Sequence, residues 1–363
     1  MKIPFRDLSV KDPKIKQELL EAVDKVLTHG RILLGPEMQQ FEKAIAERCH
    51  TKFAVGVGSG TSALYFSLRA LKIGKGDEVI TTPLTWVATP NSIVMTGATP
   101  VYVDIKDDLN INVDLIEKAI TPRTKAILPV HFLGKMCEIE KMAQIAKKHN
   151  IALIEDAAQA FGASVGGKPA GSFSKIAAFS MNPMKVLCAY GEAGACVTND
   201  QELATKIESL RYAGTINKED CQETSINGRL DTIQAAMMLV NLKYVDGKIS
   251  QRLKIAQQYN AGLNSLVRCP IMDKSVHAWY SYTIIAEKRD ELMQFLTAKG
   301  VETKIYHPIL MPYHTAYKGK FTCSIPVAED LVKKILALPN EDHLNQAQIQ
   351  YVIDCIKEFY AGK

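Results

Sequence analysis

Between residues 53 and 200, short runs of apolar and β-branched residues alternate with amphipathic stretches such as Ser62–Leu71 and Ile139–Lys148. The short runs predict strands, whereas the stretches between them have the periodicity of helices. Such alternation is typical of an α/β fold, in which helices cover both faces of a largely parallel sheet. The predicted strands are Phe53–Val57, Val79–Thr81, Pro100–Asp104, Ala126–Val130, Ile151–Glu155, Ile176–Ser180 and Gly194–Thr198.

The pattern changes after about residue 245. Leu230–Tyr244 and Ile249–Leu266 have the composition of long helices, and Ser281–Ala286 and Val301–Tyr306 that of strands. A chain of 363 residues is long enough for one large domain and a smaller one. We therefore predict a large domain over residues 1–245, which includes an N-terminal arm, and a smaller α/β domain over residues 246–363.

Composition argues against several classes of protein. No stretch of about 20 apolar residues suggests a membrane span, and the start of the chain lacks the apolar core of a signal peptide, which predicts a cytoplasmic protein. The eight cysteines lie far apart and form no CxxC pair, so we expect neither a metal site nor a disulfide framework. The net charge of +5 is small for this length, and no basic stripe with interleaved aromatic residues indicates nucleic-acid binding.

A glycine-rich turn, Gly56-Val-Gly-Ser-Gly-Thr-Ser62, joins the first predicted strand to the first predicted helix. The free N–H groups at a helix start attract a phosphate, and the hydroxyls of Thr61 and Ser62 add donors. The dinucleotide fingerprint G-x-G-x-x-G needs glycine at position 61, where this chain has threonine, and no P-loop lysine follows. The turn indicates either a phosphate site or simply a tight connection.

Two charged residues follow later strands. Asp156 comes directly after an apolar run, at the carboxyl end of the sheet, where open α/β folds bind ligands. The alternative is that Asp156 caps a following helix. Lys185 lies between apolar residues, five positions after Ser180, and a lysine desolvated in such a pocket has a lowered pKa and becomes nucleophilic. The alternative for Lys185 is a solvated position on the surface.

Together, a phosphate cradle, an aspartate and a serine–lysine pair are the parts that hold pyridoxal phosphate. They supply an anion site, an acid for the pyridine nitrogen and a lysine for a Schiff base. At these positions the chain resembles the DegT/DnrJ/EryC1/StrS family of sugar aminotransferases, and the resemblance extends over nearly the whole chain. The segments that carry it are 35–37, 58–64, 82–89, 97–104, 129–134, 155–159 and 226–236.

The resemblance implies an aspartate-aminotransferase-like fold (fold type I), pyridoxal phosphate as cofactor and a homodimer with two active sites at the subunit interface. Lys185 would form the Schiff base with the cofactor and then shuttle protons. Asp156 would pair with the protonated pyridine nitrogen, and Gln159 would bond the ring hydroxyl. Trp86 would stack on the ring face, a role that suits a flat and rigid aromatic side chain.

The resemblance also implies contacts to the phosphate and to the substrate. The implied phosphate ligands are Gly60, Thr61, Ser62, Ser180 and, across the subunit interface, Asn227. Read from the residues alone, Asn227 could equally cap a helix. The implied substrate contacts are Arg229, Tyr306 and His307. For Tyr306 and His307, the alternatives are a packed tyrosine and a histidine that is hydrogen-bonded at the end of a strand.

The implied reaction transfers an amino group from L-glutamate to a nucleotide-linked keto-sugar, in the biosynthesis of a surface glycan or a related deoxyamino sugar. The segment 227–232 is most similar to the branch of the family that uses 3-keto sugars, some of them uronic acids. A sugar dehydratase of the same family is an alternative, although such relatives replace the lysine with histidine. A non-enzymatic regulator that binds pyridoxal phosphate is a second alternative, and a nicotinamide-dependent dehydrogenase, disfavoured by Thr61, is a third.

Overall fold

A seven-stranded sheet lies at the centre of the computed structural model, which describes residues 1–217 and 219–362. The strands of this sheet and of the smaller two-stranded sheets, in chain order, are β1 (Phe53–Val57), β2 (Glu78–Thr81), β3 (Thr99–Tyr102), β4 (Thr124–Ile127), β5 (Ala152–Asp156), β6 (Ser164–Val165), β7 (Lys168–Pro169), β8 (Ile176–Ser180), β9 (Gly194–Thr198), β10 (Thr215–Ile216), β11 (Asp220–Cys221), β12 (Tyr282–Ile285) and β13 (Ile335–Leu338). The order in the large sheet is β1-β9-β8-β5-β4-β2-β3. Strand β9 is antiparallel to both neighbours, and the other neighbouring pairs are parallel. The predicted α/β fold with a largely parallel sheet is confirmed.

Helices precede, separate and follow these strands. The α-helices are α1 (Pro13–His29), α2 (Pro36–Arg48), α3 (Gly60–Ala70), α4 (Ala88–Met95), α5 (Ile116–Ala119), α6 (Ile139–His149), α7 (Gln201–Arg211), α8 (Thr232–Leu242), α9 (Val245–Leu263), α10 (Arg289–Ala298), α11 (Pro326–Leu331) and α12 (Gln346–Ala361). Short 3-10 turns occur at Val113–Leu115, Phe132–Gly134 and Met311–Tyr313. Within residues 1–217 and 219–362, no helix combines the length and the apolar character needed to cross a membrane.

Alternate residues of the central strands face opposite sides of the sheet. Ile154 and Ile176 pack on one side, in the same hydrophobic cluster as residues of α3 and α7. Leu153 and Phe179 pack on the other side, in the cluster that contains residues of α2, α6 and α8. Because both faces are buried, these strands form continuous apolar runs in the sequence rather than an alternation of apolar and polar residues.

A second hydrophobic core lies in the C-terminal part of the chain. Strands β12 and β13 pair in antiparallel fashion, and their side chains pack with those of α9, α10 and α12. Ile3 is fully buried in this core, so the start of the chain packs against its C-terminal part. Helix α9 begins with Val245 in the first core and reaches the second with Ile255 and Tyr259. The division into domains at residues 245 and 246 remains a prediction.

One predicted element is wrong. The stretch Val301–Tyr306, expected as a strand, makes only isolated bridges, from Val301 to Ile3 and from Lys304 to Ala337. Its two ends pair with different parts of the chain, so no ladder of successive hydrogen bonds forms along it. The neighbouring prediction at Ser281–Ala286 corresponds to β12.

Candidate active site

A cavity of about 490 Å³ lies at the carboxyl ends of β5 and β8 and at the start of α3. The carboxyl ends of parallel strands are where open α/β sheets bind ligands. The predicted site residues on its wall are Gly60, Thr61, Trp86, Asp156, Gln159, Ser180, Lys185, Tyr306 and His307. Segments that are far apart in the sequence therefore meet around one cavity.

Asp156 ends β5 and is 3% exposed. One carboxylate oxygen accepts a hydrogen bond from Thr89 Oγ1 at 2.8 Å, and the other accepts one from the Ala158 N–H at 3.2 Å. Burial raises the pKa of Asp156, and the two donors and the positive charge of Lys185 only partly oppose the effect of burial. A turn follows Asp156 instead of a helix, so its carboxylate does not serve as a helix cap.

Lys185 lies in the connection between β8 and β9, residues 181–193. Two backbone hydrogen bonds brace this connection, from the Met181 N–H to the Ala193 carbonyl at 2.8 Å and from the Ala189 N–H to the Met181 carbonyl at 2.7 Å. Burial lowers the pKa of Lys185 to about 8, against the attraction of Asp156, which raises it. An appreciable fraction of the amine is therefore neutral, and hence nucleophilic, near neutral pH.

The start of α3 forms the part of the cavity wall that lies next to Ser180, at the end of β8. Ser59 caps the helix, and its Oγ accepts from the Ser62 N–H at 3.0 Å. The N–H groups of Gly60 and Thr61, in the first turn, have no acceptor within the helix and can bind an anion. A Cβ atom at Gly60 would lie 2.5 Å from the Cβ of Ser180, so only glycine lets the strand end approach the helix start this closely.

Gln159 and Trp86 lie on other parts of the wall. The Gln159 side-chain carbonyl accepts from the Leu133 N–H at 2.6 Å, which orients the amide and leaves its NH₂ group as the donor for a ligand. Trp86 is 57% exposed, and its ring centroid lies 5.4 Å from that of His307. A large aromatic side chain that is this exposed at the rim of a cavity is available to cover a planar ligand.

Tyr306 and His307 contribute the C-terminal wall of the cavity. Tyr306 is 5% exposed. His307 Nε2 is buried, with no hydrogen-bond partner among the described residues, so the alternative of a hydrogen-bonded histidine does not hold for this nitrogen. Burial, together with the nearby positive charge of Lys185, lowers the pKa of His307 to about 4. The ring is therefore neutral near pH 7.

Three predicted site residues lie away from the wall of this cavity. Ser62 is bonded to Ser59, which lines the cavity in its place. Asn227 is exposed, and its Oδ1 accepts from Arg229 Nε at 2.8 Å. The Arg229 guanidinium lies 4.6 Å from the ring centroid of Tyr212. The roles predicted for these three residues remain predictions, and the one predicted for Asn227 concerns a neighbouring subunit.

The sequence model of the DegT/DnrJ/EryC1/StrS aminotransferase family matches residues 13–357. The chain belongs to this family. Its fold is the aspartate-aminotransferase-like fold of pyridoxal-phosphate enzymes, as predicted, and it is an aminotransferase.

Three similar proteins illustrate the range of the family. A protein of Geobacillus stearothermophilus named a pleiotropic regulatory protein is 40% identical, with 99% of each chain covered. The dTDP-3-amino-3,4,6-trideoxy-alpha-D-glucose transaminase of Streptomyces venezuelae is 39% identical, with 99% of this chain and 96% of that protein covered. The crystal structure of NtdA from Bacillus subtilis with the bound cofactor PMP is 29% identical, with a TM-score of 0.93, 98% of this chain and 85% of that chain covered.

The cofactor of this aminotransferase is pyridoxal phosphate, and the residues of the cavity fit it. The start of α3 beside Ser180 offers donors to a phosphate, and Asp156 offers a carboxylate to the pyridine nitrogen. The raised pKa of Asp156 means that burial disfavours its charge until a cation lies beside it, and a protonated pyridine nitrogen is such a cation. Lys185 provides the amine.

Thr89 and Tyr280 also belong to this aminotransferase's site, although no role was predicted for them. Thr89 is buried and donates to Asp156, while Thr85 Oγ1 lies 2.9 Å from Thr89 Oγ1. Thr85 lies before α4 and Thr89 in its first turn, so no helical spacing in the sequence indicated this pair. The ring centroid of Tyr280 lies 4.6 Å from Lys185 Nζ. Tyr280 follows no catalytic motif, and only the folded chain brings it to the lysine.

Proposed function

We propose that this aminotransferase transfers an amino group from L-glutamate to the ketone of a nucleotide-linked 3-keto sugar, for a deoxyamino sugar or a surface glycan. The observation that carries the proposal is that one cavity contains both Lys185, whose amine has a pKa of about 8, and Asp156, a buried carboxylate. The Streptomyces venezuelae relative, which is named for a 3-amino sugar, supports a nucleotide-linked sugar as the substrate and the third carbon as the position of the ketone. The cytoplasmic location stays a prediction.

Pyridoxal phosphate, when bound, supplies an electron sink for the carbon that loses or gains a proton. Asp156 would bind the pyridine nitrogen and keep it protonated. Gly60, Thr61 and Ser180 would hold the phosphate, with Ser62 as a further predicted ligand.

Two other side chains would orient the cofactor ring. Gln159 would donate its NH₂ group to the ring hydroxyl, since its carbonyl is bonded to Leu133. Trp86 would cover one face of the ring and shield it from water.

Lys185 would move the proton. With a pKa of about 8, Nζ can accept a proton and release it again near neutral pH, which is the requirement for a general acid–base group. The protonated fraction falls as pH rises through 8, so steps that need the neutral amine become faster between pH 7 and pH 9.

The sugar would bind on the open side of the cavity. The His307 ring is neutral, and its Nε2 has no partner among the described residues. Depending on the tautomer, Nε2 can therefore donate a hydrogen bond to a sugar hydroxyl or accept one from it. Tyr306 would contribute a second contact to the sugar. Arg229 would reach the substrate of the neighbouring subunit, because it does not line the cavity of its own chain.

We also propose a homodimer. Asn227 is exposed and lies apart from its own cavity, which suits a residue that closes the phosphate site of a second copy. Exposed apolar side chains lie near this segment. Ile226 precedes Asn227, and Ile32 and Leu33 lie nearby because Leu33 forms a β-bridge with Asp231. A second copy would bury them.

A spectroscopic and turnover experiment tests the reaction. Purified protein with pyridoxal phosphate should change its visible absorbance when L-glutamate is added, and should then aminate members of a panel of nucleotide-linked keto-sugars. Lys185→Ala should bind the cofactor and lose turnover. A spectral change without any aminated sugar would reject the sugar class, and bound cofactor with no response to any amino donor would favour the regulator. A dehydrated sugar would favour the dehydratase.

Complementation tests the shared site. Lys185→Ala and Asn227→Asp chains are mixed and allowed to exchange subunits. A mixed dimer has one site with both defects and one with neither, so activity should return towards about half of the wild-type value per mixed dimer. The aspartate is chosen because its charge repels the cofactor phosphate. Confirmed exchange with no return of activity would reject the role of Asn227 across the interface.

A further inference from the structure

Arg6 connects the N-terminal segment with the connection that carries Lys185. Residues before it are anchored, since the Ile3 N–H bonds the Gly300 carbonyl at 2.8 Å and the Phe5 N–H bonds Glu302 Oε2 at 3.1 Å. The Arg6 side chain itself is only 7% exposed. The first residues of the chain therefore deliver one buried guanidinium to the region behind the active site.

The guanidinium of Arg6 forms hydrogen bonds or ion pairs with three segments, and it also interacts with Tyr306. Nη1 donates to the carbonyl of Met184, the residue before Lys185, at 2.7 Å, and Nη2 donates to the carbonyl of Tyr280 at 2.6 Å. Nη1 also lies 2.9 Å from Glu341 Oε1. Arginine has a planar fork of donors that can bond two carbonyls at once, whereas lysine has one flexible ammonium.

Arg6 and Lys185 also share an aromatic ring. The Arg6 guanidinium carbon lies 4.8 Å from the centroid of the Tyr280 ring, and Lys185 Nζ lies 4.6 Å from the same centroid. The two cationic groups thus contact the ring of one buried tyrosine.

We propose that Arg6 is a positioning residue for Lys185, which fixes the backbone before the lysine and places a permanent positive charge beside its amine. The proposal deepens the proposed function and rests on it, because the proposed function assigns the reactive amine to Lys185. The alternative is a purely structural role, in which Arg6 only ties the start of the chain to Glu341.

The charges around the amine decide the direction of the effect. Burial lowers the pKa of Lys185, Asp156 and Glu192 raise it, and Arg6 lowers it. His307 contacts the same cavity as a neutral ring. Loss of the Arg6 charge should therefore raise the pKa of the amine and reduce its neutral fraction at pH 7.5.

The experiment compares Arg6→Met, which removes the charge, with Arg6→Lys, which keeps it and loses the fork. Arg252→Met is the matched control, because Arg252 is also buried and lies 3.0 Å from Glu341 but bonds the carbonyl of Trp279 and not that of Met184. The readout is the labelling rate of Lys185 by trinitrobenzenesulfonate in the cofactor-free protein, measured at pH 6 to 10 by peptide mass spectrometry.

The wild type should titrate at about 8. Arg6→Met should shift the midpoint upward by roughly half a unit to one unit, as expected for the loss of a nearby like charge. Arg6→Lys should keep the midpoint and lower turnover by about fivefold, the effect of about one net hydrogen bond. Arg252→Met should leave the midpoint unchanged, whatever its effect on stability.

An unchanged midpoint in Arg6→Met, or an equal shift in Arg252→Met, would overturn the inference. If Arg6→Met does not fold, wild-type turnover in Arg6→Lys overturns it. Borohydride reduction of the wild type with pyridoxal phosphate separates this failure from that of the proposed function. If no adduct forms on Lys185, the proposed function fails, whereas an adduct together with unaffected Arg6 variants rejects only the role of Arg6.

Discussion

Glu155 and Asp156 are adjacent carboxylates at the end of β5, and their surroundings differ. Glu155 is fully buried and accepts from His131 Nε2 at 2.9 Å, from Ser174 Oγ at 2.8 Å and from the N–H groups of Gly171 and Phe173 at 2.9 and 3.1 Å. Among the described residues, the donors to Asp156, on the cavity side, are Thr89 and Ala158.

The pKa values follow these partners. The donors around Glu155 outweigh burial and hold its pKa below the usual value, whereas burial prevails at Asp156 and raises its pKa. Burial costs both carboxylates a similar desolvation free energy, but only for Glu155 do hydrogen-bond donors within the chain outweigh this cost. Strand β5 therefore has one carboxylate that stabilises the fold and one that can bind a cationic ligand.

The largest effect should come from Glu155→Gln. The amide cannot replace a carboxylate that accepts from four groups, so the free energy of unfolding should fall by about 3 to 5 kcal/mol, the cost of breaking a buried ion pair. Denaturant titration at pH 7 measures the loss. Glu117→Gln, at an exposed pair with Lys148, is the control and should leave the free energy of unfolding nearly unchanged.

The pH dependence sharpens this prediction. Because the pKa of Glu155 is lowered in the fold, its stabilisation is fully present above the unfolded value of about 4.3 and disappears as pH falls through the folded value. The gap in stability between the wild type and Glu155→Gln should therefore narrow in acid. A gap that stays constant from pH 7 to pH 3 would contradict the assignment of the stabilisation to the charge.

Asp156→Asn should affect activity and not stability. Loss of a charged hydrogen bond to the cofactor costs about 2 to 3 kcal/mol, so turnover should fall by roughly 30-fold to 150-fold. Because the pKa of Asp156 is raised in the fold, its charge opposes folding above the unfolded value of about 3.9. The cofactor-free variant should thus be at least as stable as the wild type at pH 7, and a loss as large as that of Glu155→Gln would remove the contrast between the two carboxylates.

Thr89→Val should give the smallest effect. It keeps the shape and removes the donor to Asp156, worth about 1 kcal/mol, so cofactor affinity should fall by about fivefold. Its loss should also raise the pKa of Asp156 further, which moves the pH dependence of cofactor binding upward. Thr89→Ser retains the hydroxyl and should bind cofactor as the wild type does. Equal affinities in both variants would show that the threonine packs and does not position the carboxylate.

Local patterns predicted much of the fold. The central strands are buried on both faces, and the helices between them have one apolar face, so both leave a periodic signal in the sequence. The direction of β9 could not be predicted, because the connection 181–193 has neither the length of a two-residue hairpin turn nor a helix. Val301–Tyr306 was mistaken for a strand because the residues that could pair with it were unknown.

The site was predictable to the extent that its residues follow strands. Asp156 and Ser180 end β5 and β8, and Lys185 lies shortly after β8, so position in the chain indicated them. Arg6 and Tyr280 reach the lysine only through the folded chain, since Arg6 and Met184 are separated by 178 positions. No spacing rule links residues at such distances.

The antiparallel pairing of β8 and β9 also bears on the order in which the chain assembles. The connection that carries Lys185 joins two strands that are neighbours in the sheet, with ladder partners from Ala177 with Val197 to Ser180 with Gly194. Closing such a short loop loses little chain entropy, whereas the parallel pairs must first bring distant segments together. The lysine is thus set in a local hairpin, whereas the contact of Arg6 with the Met184 carbonyl forms only when distant segments of the chain have met.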